Sequence, residues 1–325
     1  MSSHIHKEMA RTNSTLNSQL RRKDDEFYTH YGDIEQEVNN YKSQFRGKVV
    51  YCNCDDFRTS NFFKYFASNF VSLGLKELIC SHYVDQHIDI FEMDRSVVSP
   101  QVVRFDGERG VIDDMFGDGD FRSAECLALL GEADIIVTNP PFSLFRRYMS
   151  QIFRYKKKFL VVGNLNAMNY LSFFPYFHRG DVRLGVSKIN DFFIPDDYPL
   201  RTKEYTVHDD GRRSVQVNTA TWYTNLEHTH SRREILLTES YDESKYDRYD
   251  NYDAIEVGSI RRIPYDYAGY MGVPITFVER WNREQFELVG QSRLLMREQG
   301  LKSDFKINGQ RMFMRLVIKN KKYEQ

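Results

Sequence analysis

The chain has 325 residues, of which 41% are hydrophobic and 28% are charged, and its formal net charge is −1. This composition excludes disorder throughout, and the length suits one large domain or two unequal ones. No apolar run approaches the length of a membrane span and the N-terminus lacks the apolar core of a secretory signal, so we predict a cytoplasmic protein with no membrane partner.

Short apolar runs alternate with helix-like segments from residue 48 to residue 164. Ser60 is a plausible N-cap for a helix that carries Phe62, Phe66 and Phe70, and Asp106-Gly107 predicts the turn of a hairpin. The buried strands are predicted at KVVYCN (48–53), LKELICS (75–81), ADIIVTN (133–139) and KKFLVVGN (157–164). Strands that alternate with helices imply an α/β fold with a doubly wound, mostly parallel sheet.

The pattern changes at both ends of this region. Residues 1–22 are polar and aperiodic, so we predict a flexible tail there. Beyond residue 200 Tyr, Arg and Asp become dense, with short alternating strands such as ATWYTN, and we place a domain boundary at that point. This gives a domain over 23–200 and a smaller region over 201–325. The segment YDESKYDRYDNYD is either a solvated loop or a binding surface, and the first is slightly favoured.

Local charge and metal-ligand patterns are weak signals in this chain. The basic doublets, among them Arg146-Arg147, are by default solvated faces, and only a position beside a catalytic site would make them phosphate contacts. His228 and His230 form an HxH, but no cysteine or acidic partner follows at a zinc-like spacing. The four cysteines form no pair of CxxC knuckles either. We therefore expect no metal.

The sharpest signal is the string Asn139-Pro140-Pro141-Phe142, which follows a predicted buried strand and precedes a predicted helix. Open parallel sheets bind their ligands outside the carboxyl ends of the strands, where this string would lie. The alternative is an ordinary proline turn that ends a strand.

These residue types suit the methylation of an aromatic amine. The amino group of adenine is a poor nucleophile because its lone pair is delocalised into the ring. The amide oxygen of Asn139 and the backbone carbonyl of Pro140 can each accept one N6 hydrogen, which favours a tetrahedral nitrogen without a strong base. Consecutive prolines, Pro140 and Pro141, hold those acceptors in one geometry, and Phe142 offers a stacking face. A base in a duplex would have to be flipped out to reach such a pocket.

The ordered set of strings around this motif carries a family resemblance. DEFYT, YCNCDD, GDGDFRS, DIIVTNPPFSLF and KKFLVVGNLN, followed by YDNYDAIEV, IPYDYAGYMGVPITF and EQFELVG, resemble the amino-methyltransferases of DNA and closely resemble the EcoRI-type modification methylases. The resemblance covers most of the chain. It implies a Rossmann-like methyltransferase sheet, S-adenosyl-L-methionine as cofactor, double-stranded DNA as substrate and N6 of adenine as the methylated atom, with 201–325 as a target-recognition region.

The resemblance also implies cofactor-binding residues. Phe27, Tyr28 and Thr29 match the N-terminal cofactor motif, which lies against the methionine end of the cofactor. Asp120 and Phe121 match the pair that contacts the cofactor adenine, and spacing alone makes Asp120 as good a helix N-cap.

The first strand-loop departs from the wider class, because CNCDDFRTS has no glycine. Asp55 is our candidate for a cofactor contact there, with Asp56 and a solvated loop as the alternatives. Asp85 is a weaker candidate after the second strand.

Two other functions fit parts of the sequence. Protein glutamine or RNA methylation would use the same NPPF site, but the Tyr- and Arg-rich region after the catalytic domain suits DNA target recognition better. A DNA-binding or anti-restriction protein on a decayed methylase scaffold predicts a broken motif, and the motif is intact. Extended to recognition, the resemblance implies GAATTC with its inner adenine as target. It leaves open whether a cognate restriction endonuclease acts on the same site. One catalytic site per asymmetric adenine makes a monomer sufficient.

Overall fold

The structure is a computed structural model that describes residues 27–84, 99–195, 205–230 and 232–323. The predicted flexible tail and Asp85 lie outside these residues. The described strands are β1 (Tyr28–Thr29), β2 (Val49–Cys52), β3 (Glu77–Ser81), β4 (Gln101–Phe105), β5 (Gly110–Asp114), β6 (Ile135–Thr138), β7 (Lys158–Asn164), β8 (Arg183–Leu184), β9 (Phe192–Ile194), β10 (Tyr205–Val207), β11 (Arg213–Val215), β12 (Ala220–Thr224), β13 (Ile255–Glu256), β14 (Met271–Val273), β15 (Phe286–Gln291), β16 (Lys306–Ile307), β17 (Gln310–Arg311) and β18 (Leu316–Asn320).

The α-helices of the described residues are short. They are α1 (Tyr31–Val38), α2 (Asn61–Ser68), α3 (Phe70–Leu73), α4 (Ala124–Glu132), α5 (Phe145–Arg154), α6 (Phe174–Arg179) and α7 (Ser292–Glu298). None of them is long and apolar enough to cross a membrane. Six 3₁₀ segments also occur in the described part, at Lys42–Phe45, Phe142–Leu144, Leu165–Asn169, Glu243–Lys245, Ile260–Arg262 and Ile275–Glu279.

The chain divides into two compact units. The first runs up to residue 164 and includes 185–228, and the second comprises 165–184 and the residues from 229 onward. The first unit therefore extends past residue 200, where the sequence placed a boundary. The strand ATWYTN, assigned from sequence to the second region, is β12, and it pairs with β7 of the first unit's sheet. The catalytic and target-recognition roles given to the two regions stay predictions.

A large mixed sheet forms the centre of the first unit, with the strand order β5-β4-β3-β2-β6-β7-β12. The four middle strands, β3, β2, β6 and β7, run parallel to one another. The outer strands β4, β5 and β12 pair antiparallel. The fold is thus mixed α/β, and the predicted β4–β5 hairpin is confirmed. β2 and β6 are buried along their whole length, as expected of strands that are covered on both faces.

Helix signals in the sequence were correct at one position and incomplete at another. Ser60 caps α2 as predicted, because its Oγ accepts from the backbone N–H groups of Phe62 and Phe63. The predicted helix does not run on to Phe70, since α2 ends at Ser68 and the short α3 begins at Phe70.

A small antiparallel sheet also belongs to the first unit, with the strand order β1-β9-β11-β10. It brings the predicted cofactor motif at β1 beside β9, where Tyr28 lies opposite Phe193 and Thr29 opposite Phe192. The second unit has its own four-stranded sheet, β13-β14-β18-β15, and the hairpin β16–β17.

Candidate active site

The NPPF string lies at the carboxyl edge of the parallel strands, as predicted. β6 ends at Thr138, Asn139 follows it, and a 3₁₀ turn over Phe142–Leu144 leads into α5. β6 lies between β2 and β7 in the sheet, so the loops after β2 and β6 leave the same edge side by side. Asn139 is half-buried and Pro140 is buried, which gives the loop a partly open face.

The side chain of Asn139 is held in one orientation by the segment before β1. Its Nδ2 donates a hydrogen bond of 2.8 Å to the backbone carbonyl of Phe27. That bond uses the NH₂ group of the amide as its donor. Oδ1 remains as an acceptor, and it receives no hydrogen bond from the described residues. The predicted cofactor motif and the predicted catalytic loop are thus in direct contact.

Aromatic rings fix Phe142 from two sides. Its ring centroid lies 5.6 Å from that of Phe27 and 6.3 Å from that of Phe192, and the rings of Phe27 and Phe192 are 5.5 Å apart. Phe27 and Phe192 are buried, whereas Phe142 remains half-buried. A ring that is packed at its edges and partly accessible suits a stacking platform. Sequence reasoning missed Phe192, because nothing in the string DFFIP marks it as a neighbour of a loop 50 residues earlier.

Asp55 lies in the loop after β2, and two hydroxyl groups bind its carboxylate. Oδ1 accepts from Ser60 Oγ at 2.7 Å, and Oδ2 accepts from Thr138 Oγ1 at 2.6 Å. Burial raises the pKa of Asp55 to about 6, although both hydroxyl donors act to lower it. The structure therefore brings Asp55 next to the NPPF loop, and its predicted direct contact with the cofactor stays a prediction. Sequence reasoning missed Thr138, although it immediately precedes the NPPF string.

Asp56, the alternative to Asp55, belongs to a more exposed cluster. Its side chain forms a weak pair with Arg58 at 3.4 Å and lies 3.9 Å from Nε2 of His82. His82 directly follows β3, and burial lowers the pKa of its imidazole.

Asp120 and Phe121 occupy the loop before α4, against the end of β3. Gly119 has φ +72°, and a Cβ on it would lie 2.0 Å from the carbonyl oxygen of His82, so only glycine fits this approach. The carboxylate of Asp120 accepts from the backbone N–H and the guanidinium of Arg122. The N-cap of α4 is Ser123 and not Asp120, so the capping alternative for Asp120 is wrong.

Phe121 is a buried anchor of this loop. Its ring lies edge-on to Tyr148 of α5, with the centroids 5.2 Å apart, and its carbonyl oxygen accepts from Gln151 Nε2 at 2.9 Å. α5 also begins at the end of the NPPF loop, so one helix supports both that loop and the GDGDF loop.

Among the buried polar groups near these loops that lack a hydrogen-bond partner in the described residues, one follows β2 and one ends β1. They are Oγ1 of Thr29, at the end of β1, and Nδ2 of Asn53, directly after β2. Thr29 is also tied to the helix that follows the β2 loop, because its carbonyl oxygen accepts from Asn61 Nδ2. Unsatisfied buried groups are rare and call for a ligand or an ordered water. Their place beside Asp55 and Asn139 fits a polar cofactor.

No cluster of three or more His, Cys, Asp or Glu residues in the described part of the chain is arranged to hold a metal ion.

A mixed α/β sheet with an Asn-Pro-Pro-Phe loop at the carboxyl edge of its parallel strands defines a methyltransferase that acts on amino groups. The sequence model of the adenine-specific methyltransferase EcoRI family matches residues 15–321. The chain belongs to this family, and it is an adenine-specific DNA methyltransferase. The resemblance stated from the sequence strings is confirmed.

Three relatives support this membership. The type II methyltransferase M.EcoRI of Escherichia coli is 43% identical over 326 residues, covering 97% of this chain and 98% of the relative. M.MgeORF184P of Mycoplasma genitalium is 34% identical, covering 94% and 98%, and M.MpnI of Mycoplasma pneumoniae is 36% identical, covering 84% of each chain. No solved structure matches the chain.

Proposed function

We propose that this protein transfers the methyl group of S-adenosyl-L-methionine to N6 of an adenine flipped out of duplex DNA, with GAATTC as the recognition site. The observation that carries the proposal is the orientation of Asn139. Its amide nitrogen is committed to Phe27, so that its oxygen is the acceptor offered at the strand edge. The 43% identity to M.EcoRI over nearly the whole chain supports the recognition site.

The residues of the first unit divide between cofactor and base. Phe27, Tyr28 and Thr29, the loop with Asp55, and the pair Asp120 and Phe121 would hold the cofactor in a doubly wound, Rossmann-like arrangement. The sulfonium of the bound cofactor supplies an electrophilic methyl group. Asn139, Pro140, Pro141 and Phe142 would hold the base.

The reaction follows from what the catalytic loop can accept. Oδ1 of Asn139 and the carbonyl oxygen of Pro140 each accept one N6 hydrogen, which localises the nitrogen lone pair toward the methyl donor. Neither group is a base strong enough to remove a proton beforehand. The new N–C bond would form as the S–C bond of the sulfonium breaks, which would leave a neutral thioether, and the nitrogen would then give up its proton to water. Stacking on Phe142 stabilises the flipped base by ~1 to 3 kcal/mol, the range for bases on aromatic side chains.

The test is an incubation with cofactor labelled in its methyl group, using duplexes with GAATTC, duplexes in which the inner adenine is replaced by 2-aminopurine, duplexes with a scrambled site, and separate samples of RNA and protein. We expect labelled N6-methyladenine only in the GAATTC duplex. Label in another DNA sequence would refute the recognition site alone. Label in protein or RNA, with none in DNA, would refute the proposed substrate and favour glutamine or RNA methylation.

The doublet Arg146-Arg147 is our candidate for phosphate contacts near the flipped base. Both residues lie in the first turn of α5, directly after the catalytic loop, and both are exposed. No carboxylate in the described residues forms an ion pair with either of them. Arginines in the first turn of a helix are disfavoured by the helix dipole, and a bound phosphate would offset that effect.

Removal of both arginines should therefore weaken DNA binding in a salt-dependent way. For Arg146→Ala combined with Arg147→Ala, we expect the plot of log Kobs against log salt to lose about 1 to 2 units of slope, which corresponds to one or two phosphates. Binding titrations between 50 and 200 mM salt, roughly the range in which such contacts dominate, would measure it. Arg154→Ala, at the other end of the same helix, is the control and should leave the slope unchanged. Equal slopes for all three proteins would rule out the contacts.

A further inference from the structure

The carboxylate of Asp55 joins two loops that the proposed function assigns to different ligands. Ser60, one of its partners, caps α2 in the cofactor region, and Thr138, the other, immediately precedes Asn139. We propose that Asp55 is a positioning residue. Through its hydrogen bond with Thr138 it fixes the NPPF loop in place relative to the loop after β2. This inference rests on the proposed function, because it assumes that Asn139 binds the base.

The direction of the hydrogen bonds makes Asp55 act as an anion. Ser60 Oγ already accepts from the N–H groups of Phe62 and Phe63, so its own hydrogen is committed to Asp55. The ionised carboxylate can accept from Ser60 and Thr138 at the same time. A protonated Asp55 would have to donate from one oxygen, and only Thr138 could receive that hydrogen. Protonation would thus reverse the hydrogen bond between Asp55 and Thr138. It would disturb Thr138, which directly precedes Asn139.

The surroundings of Asp55 leave its charge uncompensated. Its neighbours with titratable groups are neutral at ordinary pH, because burial raises their pKa values well above the usual range. They are the thiols of Cys52, Cys54 and Cys80 and the phenol of Tyr148. The next acid in the chain, Asp56, pairs weakly with Arg58. The charge of Asp55 is therefore held by the two hydroxyl donors and by no cation in the described residues.

The buried charge of Asp55 lowers the stability of the folded protein. A measurement of stability can therefore distinguish a positioning role from a structural role. Burial raises the folded-state pKa of Asp55 to about 6. A raised carboxyl pKa contributes stability that is present at pH values below the unfolded pKa and is lost as the pH rises through the folded pKa. At pH 8 we therefore expect Asp55→Asn to unfold at or above the temperature of the wild-type protein, whereas loss of a purely structural residue would lower it.

The experiment compares Asp55→Asn, Thr138→Val, Thr138→Ser and the double variant Asp55→Asn/Thr138→Val on GAATTC duplexes at pH 8. We expect kcat to fall about ten- to a hundredfold in Asp55→Asn and in Thr138→Val, as for small misplacements of a catalytic group. The double variant should be no worse than either single one, because both break one link. The cofactor Kd should change less than about twofold, because the bond that both substitutions break joins two protein side chains. Thr138→Ser, which keeps the hydroxyl, should recover most of the lost rate.

The pH profile of kcat provides a second readout that does not depend on the folding of Asp55→Asn. In the wild-type protein kcat should fall as the pH is lowered through about 6. In Thr138→Val this fall should be absent, because the protonation of Asp55 reaches the NPPF loop only through its hydrogen bond with Thr138. In Asp55→Asn it should disappear. Asp113→Asn on the exposed strand β5 is the matched control and should behave as wild type.

Three outcomes would overturn the inference. A raised cofactor Kd with an unchanged kcat in Asp55→Asn would make Asp55 a direct cofactor contact. Unchanged activity and an unchanged pH profile in Thr138→Val would show that the link does not matter. Additive losses in the double variant would show that the two residues act separately. Absence of DNA methylation by the wild-type protein would instead refute the proposed function, so the two failures are distinguishable.

Discussion

Replacement of Asn139 by alanine should lower kcat for DNA methylation about a thousandfold, the loss seen when one electrostatic stabiliser of a transition state is removed. The physical reason is specific to this chain. Asn139 Nδ2 is bound to the carbonyl oxygen of Phe27, so Oδ1 is presented as an acceptor before the base arrives. Alanine removes that acceptor and leaves the carbonyl oxygen of Pro140 alone to localise the lone pair.

The measurement is single-turnover methylation of a GAATTC duplex, together with the cofactor Kd by equilibrium titration. Asn139→Ala should keep the cofactor Kd within about threefold, because the interaction that it removes belongs to the transition state. Asn139→Asp is a sharper variant. It keeps an acceptor oxygen but cannot donate to the carbonyl of Phe27, so the oriented contact becomes a repulsion and activity should fall as well. Asn40→Ala, on an exposed residue, is the control.

A rate for Asn139→Ala within tenfold of wild type would contradict the assigned role. A lost activity accompanied by a cofactor Kd raised about a hundredfold would place Asn139 at the cofactor instead.

The sequence predicted the elements that local pattern determines. β2, β3, β6 and β7 lie within one or two residues of their predicted limits because continuous apolar, β-branched runs leave little choice of structure. The position of the NPPF loop followed from the same reasoning, since a strand that is buried and parallel must deliver its next residues to the carboxyl edge.

What the sequence could not predict depends on long-range pairing. The strand Ala220–Thr224 alternates like a strand of a separate region, and only its antiparallel register with β7 places it in the main sheet. The contact of Asn139 with Phe27 spans 112 residues of chain. No local sequence pattern predicts such a contact. It arises from the pairing of β1 with β9 and from the packing of three phenylalanine rings.

Composition was also a poor guide to burial in the second unit. The segment YDESKYDRYDNYD was slightly favoured as a solvated loop, yet Tyr246 and Tyr249 within it are buried. The ring of Tyr249 lies 4.5 Å from that of Phe305, and its hydroxyl bonds to Glu256. Tyrosine combines a large apolar ring with one polar atom, so a Tyr-rich segment can fill a core once a partner meets each hydroxyl.

The largest expected effect on stability is at Glu37, a residue that no pattern in the sequence singles out. Its carboxylate is fully buried and accepts from four donors of the first unit: Tyr41 Oη, the backbone N–H groups of Val186 and Ser187, and Ser187 Oγ. These hydrogen bonds of Glu37 therefore connect α1 to Val186 and Ser187, just before β9. Replacement by alanine would leave these donors buried without an acceptor, at ~1 to 3 kcal/mol for each one that water cannot reach.

We expect Glu37→Ala to lower the free energy of unfolding of the first unit by about 4 kcal/mol, since the buried donors that lose their acceptor cost ~1 to 3 kcal/mol each. Urea unfolding, followed by the fluorescence of the buried Trp222 in the same unit, would measure it. Glu35→Ala, two residues earlier on an exposed position of the same helix, is the control and should change the free energy by less than about 0.5 kcal/mol. Because α1 begins two residues after Thr29, loss of these hydrogen bonds should also raise the cofactor Kd at temperatures where Glu37→Ala is still folded. Equal urea midpoints for Glu37→Ala and Glu35→Ala would show that the four donors find other acceptors and that these hydrogen bonds do not determine the stability of the first unit.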